Sequence, residues 1–68
     1  MNRLNKVKGF RTMLGKTQEQ MAEILGVHVN TYRALENNPK DFKLDQMQKF
    51  VKEVQKVDST ITLEQIFS

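Results

Sequence analysis

Few side chains in this sequence could do acid–base or metal chemistry. The chain has one histidine, His28, one tyrosine, Tyr32, and no cysteine. A single histidine without a cysteine or a second histidine makes a poor metal site. Asp41 and Asp45 could lie one helical turn apart, but carboxylates that flank a loop are usually solvated. We therefore expect no enzymatic activity, no bound metal and no cofactor.

Basic side chains are concentrated at the start of the chain. The net charge is +3, and residues 1–16 contain five Lys or Arg and no acid. Such a block is usually a solvated helix face, and the alternative is a surface that faces phosphate groups. Charge alone leaves both open. No apolar run approaches the roughly 20 residues that span a bilayer. The basic residues at the N-terminus are not followed by a continuous apolar stretch, so we expect no signal peptide. We expect one cytoplasmic domain over residues 1–68 that does not bind a membrane.

Apolar residues recur at helical spacing in five segments, which predicts an all-α protein. The expected inward positions are Leu4, Val7, Phe10 and Leu14 in helix 1; Met21, Ala22 and Leu25 in helix 2; Thr31, Tyr32 and Leu35 in helix 3; Leu44, Met47, Phe50, Val51, Val54 and Val57 in helix 4; and Leu63, Ile66 and Phe67 in helix 5. Gly15 is expected to end helix 1. Thr17 and Gln20 have the spacing of a capping box for helix 2, and Thr62 can cap helix 5.

Helices 2 and 3 follow one another closely, with Gly26 at the turn between them. Glycine adopts positive φ at little cost and so allows a sharp change of direction. Two short helices joined in this way form a helix-turn-helix. In that motif the first helix crosses the DNA backbone, and the second places its exposed face in the major groove. A groove about 12 Å wide admits a single helix, which is consistent with the short length of both.

The segment TQEQMAEILGVHVNTYRALEN, residues 17–37, resembles the phage repressor and Cro family of helix-turn-helix proteins. The family typically reads T-Q-E-x-L-A-x-x-L-G-V-S-x-x-T-I-S-x-I-E-N-G, and the likeness extends over roughly residues 4–67. It implies a compact five-helix lambda-repressor-like domain. It also implies a transcriptional repressor that binds a near-palindromic double-stranded DNA operator as a homodimer. The chain is then either a complete protein of Cro size or the N-terminal domain of a longer repressor.

The resemblance also implies roles for individual residues. The expected DNA base contacts are Val29, Asn30, Arg33 and Ala34, and the expected DNA backbone contacts are Thr17, Gln18, His28, Asn37, Lys40 and Lys43. Val29 is expected to be exposed and to pack on a thymine methyl group. Asn30 can pair with adenine, and Arg33 with guanine or with a phosphate. Arg11 and Glu36 are expected to form a partly buried salt bridge between helix 1 and helix 3. Arg3, Lys6 and Lys8 would add positive charge from helix 1.

Two departures from the family pattern carry further expectations. His28 stands where the family prefers Ser or Thr as the cap of helix 3, and histidine is a poor cap, so a phosphate contact is the alternative role. The segment QKVDST between Val54 and Ile61 is longer than in the family, so helix 4 is expected to gain about one turn that includes Val57.

A second function of a different class also fits this fold. The chain could be a protein-binding module, such as the antitoxin of a toxin–antitoxin pair, with a toxin protein as its partner. Exposed Ile24 and the tail Ile66-Phe67 would then form the interface.

Overall fold

The computed structural model describes residues 5–67, and within them the chain forms five α-helices and one short 3₁₀-helix. The α-helices are α1 (Lys6–Met13), α2 (Gln18–Leu25), α3 (Val29–Asn37), α4 (Leu44–Gln55) and α5 (Leu63–Phe67), with the 3₁₀-helix Pro39–Asp41 between α3 and α4. The all-α prediction is confirmed. Arg3 and Leu4, to which the sequence assigned roles, lie outside the described residues. No helix in the described part is both long and apolar enough to cross a bilayer.

The helix ends follow the capping signals in the sequence. The Thr17 hydroxyl accepts a hydrogen bond from the Gln20 amide at 3.1 Å, and the Gln20 side chain accepts one from the Thr17 amide at 2.8 Å. This is the predicted capping box of α2. Gln65 and Thr62 make the same reciprocal pair at the start of α5, at 2.7 and 3.3 Å. These side chains satisfy amides that have no partner within their own helix.

One hydrophobic core lies between the helices. Its buried members are Val7, Met21, Ala22, Leu25, Tyr32, Leu35, Phe42, Phe50, Val51, Val54 and Ile66. The ring of Phe67 lies 4.7 Å from that of Phe42 and 5.9 Å from that of Phe50, measured between centroids. These aromatic contacts hold the short helix α5 against α4. Phe42, which follows the 3₁₀-helix, is buried although it is not among the inward positions expected from helical spacing.

Three expected core positions are wrong. Thr31 is exposed because it is one residue, about 100° of helix rotation, from the buried Tyr32. Leu44 is 63% exposed at the first position of α4, where the neighbouring Phe42 fills the core instead. Val57 is 65% exposed because α4 ends at Gln55 and does not gain the expected turn.

The end of α4 has a local cause. The amides of Val57 and Asp58 both donate to the Val54 carbonyl, at 3.0 and 2.9 Å, which closes the helix. The Asp58 carboxylate then accepts from the amide and the hydroxyl of Thr60, at 3.0 and 2.6 Å. Side chains of this type draw the backbone out of the helix by offering other partners.

Candidate nucleic-acid interface

The turn between α2 and α3 is tight. Gly26 ends α2 in the left-handed conformation, with φ of 76°. The Val27 amide donates to the Ala22 carbonyl at 2.9 Å, which satisfies one carbonyl of the last helical turn. Val27 is half-buried against the core. These contacts fix the direction of the chain between the two helices, and His28 is the residue immediately before α3.

His28 caps α3, and the expectation that it would cap poorly is wrong. Its Nδ1 atom accepts a hydrogen bond from the Asn30 amide at 3.1 Å. A neutral imidazole can do this because the nitrogen without a proton is an acceptor. The bond leaves Nε2 as the protonated nitrogen, and the side chain is exposed. The cap role therefore leaves a hydrogen-bond donor on the His28 side chain.

The face of α3 that points away from the core carries Asn30, Arg33 and Ala34, all of them exposed; we call this set the outer face of α3. Val29 does not share their exposure. It is half-buried and packs against the hydrophobic core. The expectation that Val29 is exposed is wrong because it lies only about 60° around the helix from the buried Tyr32. Part of its side chain remains at the surface.

A buried carboxylate lies behind the outer face. Glu36 is 3% exposed and accepts four hydrogen bonds from three side chains. Arg11 donates from Nε at 2.7 Å and from Nη2 at 3.3 Å, so that the two residues form an ion pair between α1 and α3. Gln18 donates from Nε2 at 2.9 Å, and the Tyr32 hydroxyl at 2.8 Å. The donors come from α1, α2 and α3, so this one carboxylate joins three helices.

These contacts shift the ionisation of the group. Burial alone would raise the pKa of Glu36, but the hydrogen bonds from Arg11, Gln18 and Tyr32 outweigh it, and the pKa is lowered. The bond to Glu36 raises the pKa of Arg11. Burial, followed by the bond to Glu36, raises the pKa of Tyr32. The carboxylate is therefore ionised and the phenol protonated at neutral pH, as donation by the hydroxyl requires.

Polar contacts continue from this carboxylate to the outer face of α3. Gln18 accepts a hydrogen bond at Oε1 from the Nε of Arg33, at 3.1 Å. Arg33 also donates from Nη1 to the Oδ1 of Asn30 at 3.0 Å. Its Nη2 lies 3.6 Å from an oxygen of Glu19, an exposed pair. The side chains of Gln18, Arg33 and Asn30 are thus joined in one chain of contacts that starts at Glu36.

The remaining residues assigned to DNA lie at helix ends and in the connection between α3 and α4. Thr17 and Gln18 lie at the start of α2, Asn37 is the last residue of α3, Lys40 lies in the 3₁₀-helix and Lys43 immediately precedes α4. All except Gln18 are exposed. Within residues 5–67, no hydrogen bond or ion pair joins Lys40 or Lys43 to Gln18 or Arg33. Among the expected contacts within residues 5–67, hydrogen bonds between side chains therefore link Gln18, Asn30 and Arg33, and His28 is joined to Asn30 through the backbone amide.

Sequence reasoning missed two of the partners of Glu36. The Tyr32 contact had a signal, because residues four apart lie on the same side of a helix. The Gln18 contact had none, because it depends on how α2 packs against α3.

A comparison with protein families agrees with this geometry. A family model described as helix-turn-helix, of the Cro/C1 type, matches residues 7–57, which run from the second residue of α1 past the end of α4. No curated protein and no solved structure matches the chain. The five-helix arrangement is lambda-repressor-like. The chain therefore belongs to the Cro/C1-type helix-turn-helix family, and it is a DNA-binding regulator.

Proposed function

We propose that the protein is a sequence-specific repressor that reads the major groove of double-stranded DNA with α3. The observation that carries this proposal is the outer face of α3. Asn30 and Arg33 are exposed there, and Arg33 contacts Gln18, the first residue of α2. An exposed helix with planar hydrogen-bonding side chains is the shape and chemistry that a major groove accepts.

Each residue of the outer face of α3 can make a hydrogen bond or an apolar contact to a particular base edge. Asn30 can donate to and accept from adenine, and Arg33 can donate twice to guanine. Ala34 and the exposed part of Val29 can pack on thymine methyl groups. The proposed contacts to phosphate are Thr17, Gln18, His28, Asn37, Lys40 and Lys43. Phosphate contacts of this kind fix the register of the protein on DNA without reading its sequence.

We propose a homodimer because one such module buries only about 600 to 1,000 Å² on DNA, which is small for tight specific binding. Half-sites of a palindromic operator are about 34 Å apart along one face of the duplex. The longest dimension of the described chain is 31 Å. Two copies bound to adjacent half-sites would therefore be near enough to touch. Repression would follow from occupying promoter DNA in competition with polymerase.

The antitoxin alternative was based on exposed apolar side chains at Ile24 and in the tail Ile66-Phe67, and these side chains pack against the core. Ile24 is not exposed: it is half-buried and packs against the core. Ile66 is 3% exposed, and Phe67 packs against Phe42 and Phe50. These side chains hold the helices of the domain together. The apolar surface that remains at these positions is limited to the uncovered parts of Ile24 and Phe67.

Selection from random duplex DNA, followed by binding measurements at several salt concentrations, tests the proposed function. We expect one preferred near-palindromic sequence. Asn30→Ala should reduce discrimination at one base pair of each half-site by about 1 to 3 kcal/mol. Lys40→Ala should weaken binding to all sequences alike and reduce the salt slope by about one. Absence of any preferred sequence, or the same pattern of loss from both variants, contradicts the proposal.

A further inference from the structure

We propose that Gln18 is a positioning residue for Arg33, and that its side-chain amide transmits the fixed position of the buried Glu36 carboxylate to the outer face of α3. This inference rests on the proposed function and assigns Gln18 a part in base selection. A residue that only contacts phosphate would contribute equally to binding of every sequence.

The partners of Gln18 determine which way its amide points. A carboxylate only accepts hydrogen bonds, so the nitrogen of Gln18 faces Glu36, at 2.9 Å. A guanidinium only donates, so the oxygen of Gln18 faces Arg33, at 3.1 Å. Reversing the amide would place donor against donor and acceptor against acceptor. Gln18 is therefore held in one orientation by a residue that is itself buried and held by α1 and α3.

Arg33 is fixed at two of its nitrogens by these contacts. Gln18 holds Nε, and Asn30 accepts from Nη1 at 3.0 Å. Each terminal nitrogen of a guanidinium carries two hydrogens, so Nη1 retains one for another acceptor. Within residues 5–67, the polar contact of Nη2 is with an exposed carboxylate oxygen of Glu19, at 3.6 Å. The two terminal nitrogens together can therefore donate to O6 and N7 of one guanine while Nε stays on Gln18.

Loss of the Gln18 contact would affect specificity more than overall affinity. An arginine without a fixed orientation has several rotatable bonds, and it can reach a phosphate or other acceptors as easily as guanine. Holding it in the bound geometry beforehand reduces the entropy lost on binding the correct base. The advantage applies only to the base that accepts both hydrogen bonds.

Gln18→Met in the full chain tests the proposal, since methionine has a similar length and helix propensity but makes neither hydrogen bond. Binding is measured to the selected operator and to operators in which the guanine facing Arg33 is replaced. We expect preference for guanine to fall about tenfold, within the range for loss of one bidentate contact. In the Arg33→Ala background, Gln18→Met should cause no further loss of preference. Gln48→Met, the same change on the exposed surface of α4, is the control and should leave the preference unchanged.

A second measurement keeps the test decisive if Gln18→Met folds poorly. Gln18→Asn retains an amide but is one methylene shorter, so it cannot reach Glu36 and Arg33 together, and we expect the same loss of preference. Nuclear magnetic resonance relaxation of the Arg33 Nε–H group in the free protein should show an ordered group in the wild type and a mobile one in either variant. Equal weakening on all operators, with Arg33 Nε unchanged, overturns the inference and leaves the proposed function intact. A wild-type protein without sequence preference overturns both.

Discussion

Glu36 is a buried carboxylate, and its effect on stability is seen when the cation that pairs with it is removed. When two opposite charges are buried together, their mutual attraction roughly offsets the hydration free energy that both of them lose. Removing only one of them leaves the other without compensation. Within residues 5–67, the Glu36 carboxylate accepts four hydrogen bonds, and the donors are side chains of α1, α2 and α3. The carboxylate therefore fixes the relative positions of α1, α2 and α3 more than it adds net stability.

Arg11→Met tests this role. The variant should lower the free energy of unfolding by about 3 kcal/mol, because Glu36 keeps its charge in a buried position without its cation. The measurement is urea unfolding at neutral pH, followed by circular dichroism. Lys56→Met is the matched control, because Lys56 also pairs with a carboxylate, Glu53, at 2.8 Å, but is 70% exposed. An exposed pair contributes less than about 1 kcal/mol. Similar losses from both variants would show that burial of the Arg11–Glu36 pair has no special effect.

For individual residues, the sequence predicts which side chains belong to the site better than it predicts which neighbours they contact. The family pattern indicates that Arg11 and Glu36 pair, and the outer face of α3 follows from helical rotation away from Tyr32. The contacts of Gln18 to Glu36 and Arg33 could not be predicted, because they depend on the angle and distance between α2 and α3 to within about an ångström. Val29 was misjudged because it lies at the border between the buried and exposed sides of α3.

At the level of elements, the turn between α2 and α3 depends on the conformation of one residue. Gly26 has φ of 76°. Among the atoms of the described residues, a Cβ added there would meet the Lys49 ammonium, at 3.9 Å, which is an ordinary contact. Space is therefore not the reason for glycine at this position. The reason is the left-handed backbone, which costs a residue with a Cβ about 1 to 2 kcal/mol.

Gly26→Ala should therefore destabilise the protein by about 1 to 2 kcal/mol in thermal or urea unfolding. Gly9→Ala gives the opposite sign and serves as the control. Gly9 lies within α1, and a Cβ there would meet no atom of residues 5–67 within 4 Å. Alanine at such a position favours the helix by about 0.5 to 1 kcal/mol. A stabilising effect of Gly26→Ala would mean that the turn does not need a left-handed residue.

The element boundaries that were predicted correctly have signals within the sequence next to them. Thr17 with Gln20 starts α2, and Gly26 ends it, because capping and positive φ are local properties. The end of α4 was predicted two residues too late, at Val57 in place of Gln55. Its apolar spacing continues to Val57, but the hydrogen bonds of Asp58 to Thr60 compete with the helix, and spacing alone does not reveal that competition.

For the whole molecule, the helix order and most of the core could be predicted because apolar spacing repeats in every segment. The tertiary position of Phe42 could not, since a residue in a short connection has no periodic neighbours to indicate which way it faces. Phe42 nevertheless packs against both Phe50 and Phe67, at 6.0 and 4.7 Å between ring centroids. It joins the segment after α3 to α4 and α5, much as Glu36 joins α1, α2 and α3.

Because Glu36 holds three helices together, the stability of the entire domain should depend on its charge. Its pKa in the folded protein is lowered from the ordinary value of 4.5, so folding favours the ionised form. The stabilisation from Glu36 is then fully present above about pH 5 and is lost as the pH falls below 4.5 and through the lowered pKa. Urea unfolding between pH 7 and pH 2 measures this loss.

Glu36→Gln, which carries no charge at any pH, should be less stable at pH 7 and should lose less stability in acid. Hydrogen bonds from Thr60 also lower the pKa of Asp58, so Asp58→Asn separates that contribution. An acid profile of Glu36→Gln that parallels the wild type would show that protonation of other carboxylates unfolds the protein.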